Sequence, residues 1–183
     1  MMGERKVSIF SVFVLIVSLS GLGVGAYSLY NYQQLFTQVE SPKPLARAFL
    51  DFSYAIPGFG WNVVNFTVLD YDTTGDFNIT TDRFICPTSG YYLISGMIMF
   101  SSMNDGEIIY VAACREGIVE AGSTAQASTN GGISTGFSDI VYLNEGDYVE
   151  LLAFHTVTGQ RTLYGDSTGA YTYLTIAATD ILN

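Results

Sequence analysis

The sequence contains few charged residues, and most of those it has are acidic. Charged residues make up 13% of the 183 residues, about half the usual share of a soluble protein. The formal net charge is −10 at pH 7. A nucleic-acid surface needs a stripe of Lys and Arg, and because no such stripe is present this class of partner is excluded. The abundance of Gly, Tyr and Phe is instead typical of an all-β domain with many turns.

Cysteine and histidine are also scarce. The cysteines are Cys86 and Cys114, and the single histidine is His155. Their spacing is not that of a zinc site, which needs clustered Cys and His. The two cysteines fit either one disulfide in an exported domain or two buried free thiols, and the second is favoured. No glycine pattern of a nucleophile elbow surrounds a serine, and His155 has no identifiable catalytic partner, so we expect a protein that is not an enzyme.

One long apolar run stands near the N-terminus. Residues 7–26 contain no charged side chain, and as a helix they would cross the hydrocarbon core of a bilayer. Two basic residues precede the run, and no Lys or Arg follows until Lys43. The positive-inside bias therefore predicts a cytoplasmic tip at residues 1–6, a transmembrane α-helix at residues 7–30 and an exported remainder.

A cleaved signal peptide is the alternative interpretation of this run. Val24-Gly25-Ala26 provides the small residues that a signal peptidase recognises. Either interpretation exports the rest of the chain. Residues 31–44 are predicted to be a stalk that ends in the stiff segment Ser41-Pro42-Lys43-Pro44, and residues 45–183 are predicted to be one domain.

Turn signals and short apolar strands alternate through residues 45–183. The turns recur at intervals of about 8–12 residues, which predicts an all-β, ten-stranded sandwich or barrel. Asn104-Asp105-Gly106 is the clearest hairpin signal. The predicted strands are Ala46–Phe52, Trp61–Leu69, Phe77–Thr80, Tyr91–Phe100, Glu107–Arg115, Ile118–Ala125, Ile133–Leu143, Tyr148–Thr156, Arg161–Tyr164 and Tyr171–Ala178.

Three stretches in these strands, Ile108–Cys114, Val149–Phe154 and Tyr171–Ala178, are apolar on both faces. A sheet with one solvated face alternates apolar and polar residues. Such strands either lie centrally with scattered exposed apolar residues or cover the core on one face and another chain on the other. We expect the second, an obligate oligomer. The predicted interface residues are Tyr110, Ala112, Leu151, Tyr171 and Tyr173.

Four segments occur in a familiar order and spacing: Tyr71-Asp72 with Gly75 and Phe77, Arg83-Phe84-Ile85-Cys86, Gly90-Tyr91-Tyr92, and the run from Ile140 to Val149. Together they resemble the globular head of complement C1q across about residues 45–183. The resemblance implies a jelly roll of the tumour necrosis factor type that assembles as a homotrimer. The chain departs from that family at Tyr173, where the family usually has Gly, and it lacks a collagen-like Gly repeat.

Calcium is the one cofactor that the sequence raises. Some members of the resembled family hold calcium near the trimer axis, and the position that matches here is Asp147. Separately, Asp70, Asp72 and Asp76 lie in a segment that resembles the start of a calcium loop. Thr81 stands where such a loop has its bidentate Glu, so an ordinary Asp/Gly turn is favoured over a calcium site.

Two sequence triplets are acceptors for N-glycosylation in an exported domain. They begin at Asn65 and Asn78. Asn65 alternates with Val64 and Phe66 and is therefore expected to point away from their apolar face.

The leading hypothesis is a membrane-anchored, extracellular, trimeric binding or adhesion module without catalysis. Its partners would be two further copies, the bilayer through residues 7–30, and an unidentified extracellular protein or glycan. The Asp/Gly-rich loops 70–76, 103–106 and 128–132 are the candidate ligand-binding loops. The alternative hypothesis is a pilin-like subunit of a surface filament, because an apolar N-terminal helix followed by a β-domain is also the plan of a pilin.

Overall fold

The computed structural model describes residues 42–179, which form two antiparallel β-sheets and contain no α-helix. The predicted tip at 1–6, the predicted helix at 7–30 and the first part of the predicted stalk lie outside these residues. Within 42–179, no helix is long and apolar enough to span a bilayer. The strands are β1 Leu45–Phe49, β2 Tyr54–Ile56, β3 Asn62–Val63, β4 Val68–Asp72, β5 Phe77–Asn78, β6 Arg83–Ile85, β7 Gly90–Met103, β8 Ile108–Arg115, β9 Ile118–Gln126, β10 Gly131–Leu143, β11 Tyr148–His155, β12 Arg161–Leu163 and β13 Tyr173–Ala178.

The first sheet is built around the long strand β7. One edge of β7 pairs with β10 along almost its whole length, and the other edge pairs with β13 and, near its end, with β12. Beyond β13 the sheet continues to β1 and β4. The second sheet runs β5-β6-β11-β8-β9, with β3 added beside β11.

The two sheets enclose one apolar core. Every second residue of β7 from Tyr92 to Phe100 is buried, and β11 buries Val149, Leu151 and Ala153 in the same alternating way. The sheets meet through contacts such as that between the rings of Phe84 and Tyr92, whose centroids are 5.8 Å apart. The alternation of strand side chains thus produces two inner faces that pack together, and the predicted all-β sandwich is confirmed.

The predicted strand Trp61–Leu69 is the main difference from the expected elements. It is broken into β3 and β4, because the chain crosses here from the second sheet to the first. The N–H of Val64 donates to Leu151 O at 2.9 Å, whereas the N–H of Thr67 donates to Phe49 O at 3.1 Å. Val64 and Phe66 remain buried, so the apolar alternation continues where the chain changes sheets. The alternation alone therefore does not reveal the crossing.

The chain enters and leaves the described domain at one end. The N–H of Ala178 donates to Pro44 O at 2.9 Å, and the turn 144–147 lies at this end because Leu143 pairs with Gly90 at the start of β7. We call this the proximal end. The distal end carries the turn that follows β7.

Candidate binding surfaces

The outward side of the first sheet carries a continuous apolar patch. Tyr91 and Leu93 on β7 lie opposite Tyr142 and Ile140 on β10. The rings of Tyr91 and Tyr142 meet edge to face with centroids 5.2 Å apart. Each of the four side chains is between 39% and 46% exposed. We call these four residues the sheet-one apolar face, and it is a candidate interaction surface.

The predicted interface residues do not form one surface. Tyr173 pairs with Met97 on β7, and so lies on the same outward side as the sheet-one apolar face, with Tyr171 close by along the chain. Tyr110 and Ala112 lie on β8 in the second sheet. Leu151 is fully buried in the core and has no surface to offer to another chain. A hydrophobic strand in the sequence does not reveal which of its two faces is the inner one.

Sequence reasoning missed the sheet-one apolar face itself. The signal was present, because the predicted strand Tyr91–Phe100 is apolar at odd and even positions alike. Its even positions fill the core, and its odd positions start with the exposed Tyr91 and Leu93. The partners Ile140 and Tyr142 could be assigned only when the register between β7 and β10 was known.

The outward side of the second sheet has a different feature, an aromatic trough. Trp61 lies 5.5 Å from Phe154 and 6.4 Å from Tyr110 between ring centroids, and Tyr110 lies 5.4 Å from Phe154. Two adjoining hollows of about 300 and 380 Å³ open to solvent around Trp61. The lining residues have uncharged side chains; they are Trp61, Tyr110, Val111, Ala112, Val119, Gly122, Ser123, Thr124, Phe154 and Thr156.

Small residues keep the trough open. Gly122 on β9 lies opposite Ala112 on β8. A Cβ atom at position 122 would come within 2.6 Å of Val111 O, a distance that real side chains do not tolerate. The lack of a side chain at this position therefore lets β8 and β9 approach each other and leaves space in the hollow that Tyr110 and Val119 also line.

The three candidate binding loops are divided between the two ends of the domain. The N–H of Gly106 donates to Ala127 O at 2.8 Å, and the N–H of Asp105 donates to Asn130 Oδ1 at 3.0 Å, so loops 103–106 and 128–132 lie together at the distal end. Loop 70–76 is at the proximal end, where the Thr73 hydroxyl donates to Lys43 O at 2.6 Å. The three loops therefore cannot form one site within a single chain.

Comparisons with known proteins place this architecture among known folds. No family model and no curated protein sequence matches the chain. The globular domain of zebrafish complement 1qA matches with 16% identity and a TM-score of 0.56 over 75% of this chain and 97% of that one. The domain has the C1q/tumour necrosis factor jelly-roll fold. Eiger TNF from S. frugiperda is also similar, with 12% identity and a TM-score of 0.56 over 75% of this chain and 93% of that one. Murine APRIL matches with 11% identity and a TM-score of 0.59 over 75% of this chain and 100% of that one.

Asp147 in the jelly-roll head is engaged within the chain. Its carboxylate accepts a hydrogen bond from the N–H of Asn144 at 2.9 Å and lies 3.4 Å from Arg115 Nη1. The Asn144 hydrogen bonds, followed by the Arg115 contact, lower the pKa of Asp147. A cation at this carboxylate would have to compete with the guanidinium of Arg115. The residues around Asp147 therefore do not fit a calcium site.

The other three calcium candidates stabilise their own loop. Asp70 forms an ion pair with Arg47 at 2.8 Å. Asp72 accepts hydrogen bonds from three backbone N–H groups of the following turn, and Asp76 accepts one from the hydroxyl of Thr74. Among residues 42–179, no group of three or more His, Cys, Asp or Glu side chains is arranged to hold a metal ion. These contacts are those of an Asp-capped turn.

The two cysteines are buried free thiols in the described structure. Cys86 follows β6 and Cys114 lies on β8, and these strands flank β11 on opposite sides. Strands two positions apart in a sheet are about 9–10 Å apart, which exceeds the Cα separation that a disulfide spans. Burial raises the pKa of both thiols, so both are chemically quiet.

His155 is a packing residue of the core. It is fully buried, and its ring meets the ring of Phe100 edge to face with centroids 5.3 Å apart. Its Nε2 lies 3.3 Å from Ile56 O, and the N–H of Val157 donates to its Nδ1. Burial lowers the pKa of the imidazole. Both ring nitrogens are thus used to hold backbone groups.

Both glycosylation acceptors are exposed. Asn65 lies between the buried residues Val64 and Phe66, as its alternation predicted, and Asn78 ends the short strand β5. The side-chain oxygen of Asn78 accepts a hydrogen bond from the N–H of Thr80 at 2.9 Å. The side chain of Asn78 is thereby held against its own turn.

Proposed function

We propose that the protein is a membrane-anchored extracellular homotrimer whose jelly-roll heads bind a ligand without catalysing a reaction. The sheet-one apolar face is the observation that supports this assembly. In each chain, burying the exposed part of one of these four side chains would contribute on the order of 1–2 kcal/mol to the free energy of association. The resemblance to the C1q head implies a trimer, and the sheet-one apolar face offers each chain an apolar surface for a contact between copies.

The proposed interface is formed by Tyr91, Leu93, Ile140 and Tyr142, with Tyr173 extending it across β7. It differs from the interface expected from the sequence, because Leu151 is in the core and Tyr110 and Ala112 belong to the other sheet. The distal loops would then be repeated three times on one assembly. Three copies raise the apparent affinity for a repeated ligand without any new contact.

Light scattering of the full-length protein in detergent tests the assembly. We expect the mass of three chains for the wild type. Ile140→Lys should give a smaller mass because it places a charge in the interface. Ile85→Lys is the matched control, since Ile85 is 41% exposed on the other sheet and Ile140 is 46% exposed, and it should keep the wild-type mass. A monomeric wild type would contradict the proposal, and a polymer that grows with concentration would favour the filament.

The membrane anchor rests on the sequence of residues 1–30. Mass spectrometry of the N-terminus of protein purified from membranes tests it. An intact terminus supports the anchor, whereas a terminus at Tyr27 would show that the apolar run is a cleaved signal peptide. In the same sample, glycosidase treatment reports on Asn65 and Asn78, since a loss of mass would show that the head had been exported through a glycosylating pathway.

A further inference from the structure

The aromatic trough is a preformed hollow in which one large ring is presented to solvent. Trp61 is 48% exposed, and its inner side rests on Phe154 and Tyr110 at the distances given above. Tyr110 and Phe154 support each other edge to face. The three rings hold one another in place, so a ligand that stacks on Trp61 would not have to order a mobile side chain.

The trough is uncharged although the protein is strongly acidic. The charged residues of the neighbouring strands are engaged in ion pairs: Arg83 with Glu150 at 3.0 Å, and Arg115 with Glu120 at 2.5 Å. Their charges are balanced outside the hollow. A ligand that carries a charge would lose hydration on entering the hollow and gain no opposite charge there. The complementary ligand is therefore neutral.

The trough also offers hydrogen-bonding groups beside its apolar faces. Within residues 42–179, the indole N–H of Trp61 and the hydroxyl of Tyr110 make no hydrogen bond to another residue. An apolar peptide side chain would leave both groups without a partner. A pyranose ring has an apolar C–H face and a rim of hydroxyl groups. Its C–H face would stack on the ring of Trp61, and its hydroxyl groups would hydrogen-bond to the indole N–H and to the hydroxyl of Tyr110. The volumes of the two hollows are at the small end of ligand sites, which suits a short saccharide.

We propose that the aromatic trough binds a neutral pyranose sugar stacked on Trp61. This assignment rests on the proposed function, since it names the ligand class of an extracellular binding head. The site is separate from the distal loops and from the sheet-one apolar face. It lies on the opposite sheet from that face.

Two sources could supply the sugar. One is a glycan on another molecule, and the other is a glycan attached to Asn65 of the same chain. Asn65 is exposed and lies four residues beyond Trp61, which places it at most about 14 Å away along an extended chain. The chemistry of the site is the same in both cases.

The first measurement is the fluorescence of Trp61, which is the single tryptophan of the chain. The full-length protein is kept in a detergent without a sugar headgroup and titrated with cellobiose, N,N′-diacetylchitobiose or glucuronic acid, with excitation of tryptophan alone. We expect a saturable change with a neutral disaccharide and at least about tenfold weaker binding of glucuronic acid. The absence of a saturable change with either neutral sugar, in the wild type and in Asn65→Gln alike, would overturn the proposal.

Variants with a second readout complete the test. Retention on resin that carries the better neutral disaccharide should fall at least about tenfold for Trp61→Ala. It should be unchanged for Phe52→Ala, which removes another exposed aromatic ring outside the trough. Equal retention of the two variants, with wild-type unfolding temperatures, would contradict the assignment. A wild type without the mass of a trimer would count against the proposed function, whereas a trimeric wild type that binds no neutral sugar, with or without its Asn65 glycan, would count against this assignment alone.

The source of the sugar is decided by Asn65→Gln in protein from a glycosylating host. If the Asn65 glycan fills the trough, the variant will differ from the wild type in Trp61 emission before any sugar is added, and it will bind added sugar more tightly. If the sugar comes from another molecule, the two proteins will respond alike. Either result supports the pyranose site, and a failure of both proteins to respond overturns it.

Discussion

His155 links the stability of the jelly-roll head to pH. Its imidazole is buried against Phe100, and burial lowers its pKa below the ordinary value of 6.5. The unfolded chain therefore binds this proton more tightly than the folded head does. The stability that the neutral ring contributes is complete above pH 6.5 and is lost as the pH falls below that value towards the folded pKa.

We expect the wild type to lose stability between pH 7.5 and pH 5.5, because folding opposes protonation of the buried ring. His155→Gln should lower the free energy of unfolding at pH 7.5 by about 1–3 kcal/mol, since the ring and its backbone contacts are lost. The variant should also depend less on pH over this interval. Urea unfolding at both pH values measures this, and an equal pH dependence in the two proteins would show that another group is responsible.

At the scale of the strand, Gly96 sets how closely β7 approaches the second sheet. A Cβ atom at this position would lie 2.6 Å from Leu151 Cδ1 and 2.9 Å from Phe137 Cε1. We expect Gly96→Ala to cost about 1–3 kcal/mol through overpacking and to lower the unfolding temperature by several degrees. Gly90→Ala in the same strand is the control, because no atom lies within 4 Å of its Cβ position. Thermal unfolding of both variants measures the difference, and an equal fall in their unfolding temperatures would contradict this role of Gly96.

The distal hairpin depends on Glu107. Its carboxylate forms two contacts with Arg161, at 2.5 and 3.1 Å, and accepts a hydrogen bond from the N–H of Asn104 at 2.8 Å. The hydrogen bonds from Arg161 are the main reason that the pKa of Glu107 falls to about 2. Because the folded pKa is depressed, this stability is present above pH 4.5 and is lost as the pH falls towards 2.

Glu107→Gln should therefore lower the free energy of unfolding at pH 7 by about 1 kcal/mol, a modest value because solvent reaches both side chains. The difference from the wild type should shrink as the pH falls from 4.5 to 2. Glu145→Gln, on an exposed proximal turn, should have little effect. Guanidinium chloride would screen the ion pair, so urea is the suitable denaturant. A constant difference across the acid range would contradict the role of the carboxylate.

The strands show what sequence periodicity can and cannot predict. Alternation predicted most of the strands because each of them keeps one face on the core. It failed at Trp61–Leu69, where Val64 and Phe66 stay buried while the chain changes sheets. It also missed β2 and β6, which have three residues each. Whether a short segment is a strand, and which sheet it joins, depends on its hydrogen-bond partners. The local sequence does not specify those partners.

At the scale of the whole molecule, the sequence predicted the fold better than the sites. The motifs that resemble the C1q head predicted the jelly roll found for residues 42–179. The proposed sites depend instead on distant pairings: Tyr91 with Tyr142 across β7 and β10, and Trp61, which precedes β3, with Phe154 on β11. Each pairing joins residues separated by a long stretch of chain. Only the register of the strands brings them together.

Calcium dependence can also be tested on the whole molecule. Asp147 is paired with Arg115, and the acidic residues of loop 70–76 bind their own turn. We therefore expect a strong chelator to leave both the mass by light scattering and the unfolding temperature of the full-length protein unchanged. A fall in either quantity that calcium alone restores would show that the assembled protein forms a cation site from more than one chain.

The position of β1 has a mechanical consequence. β1 is the first strand after Pro44 and lies between β13 and β4, paired with both. If the chain before Pro44 were held fixed and a ligand pulled at the distal end, the load would run along β1. The ladders on both sides would then be sheared together rather than opened one hydrogen bond at a time. β1, the strand nearest the fixed point, would thus be among the hardest parts of the head to pull out.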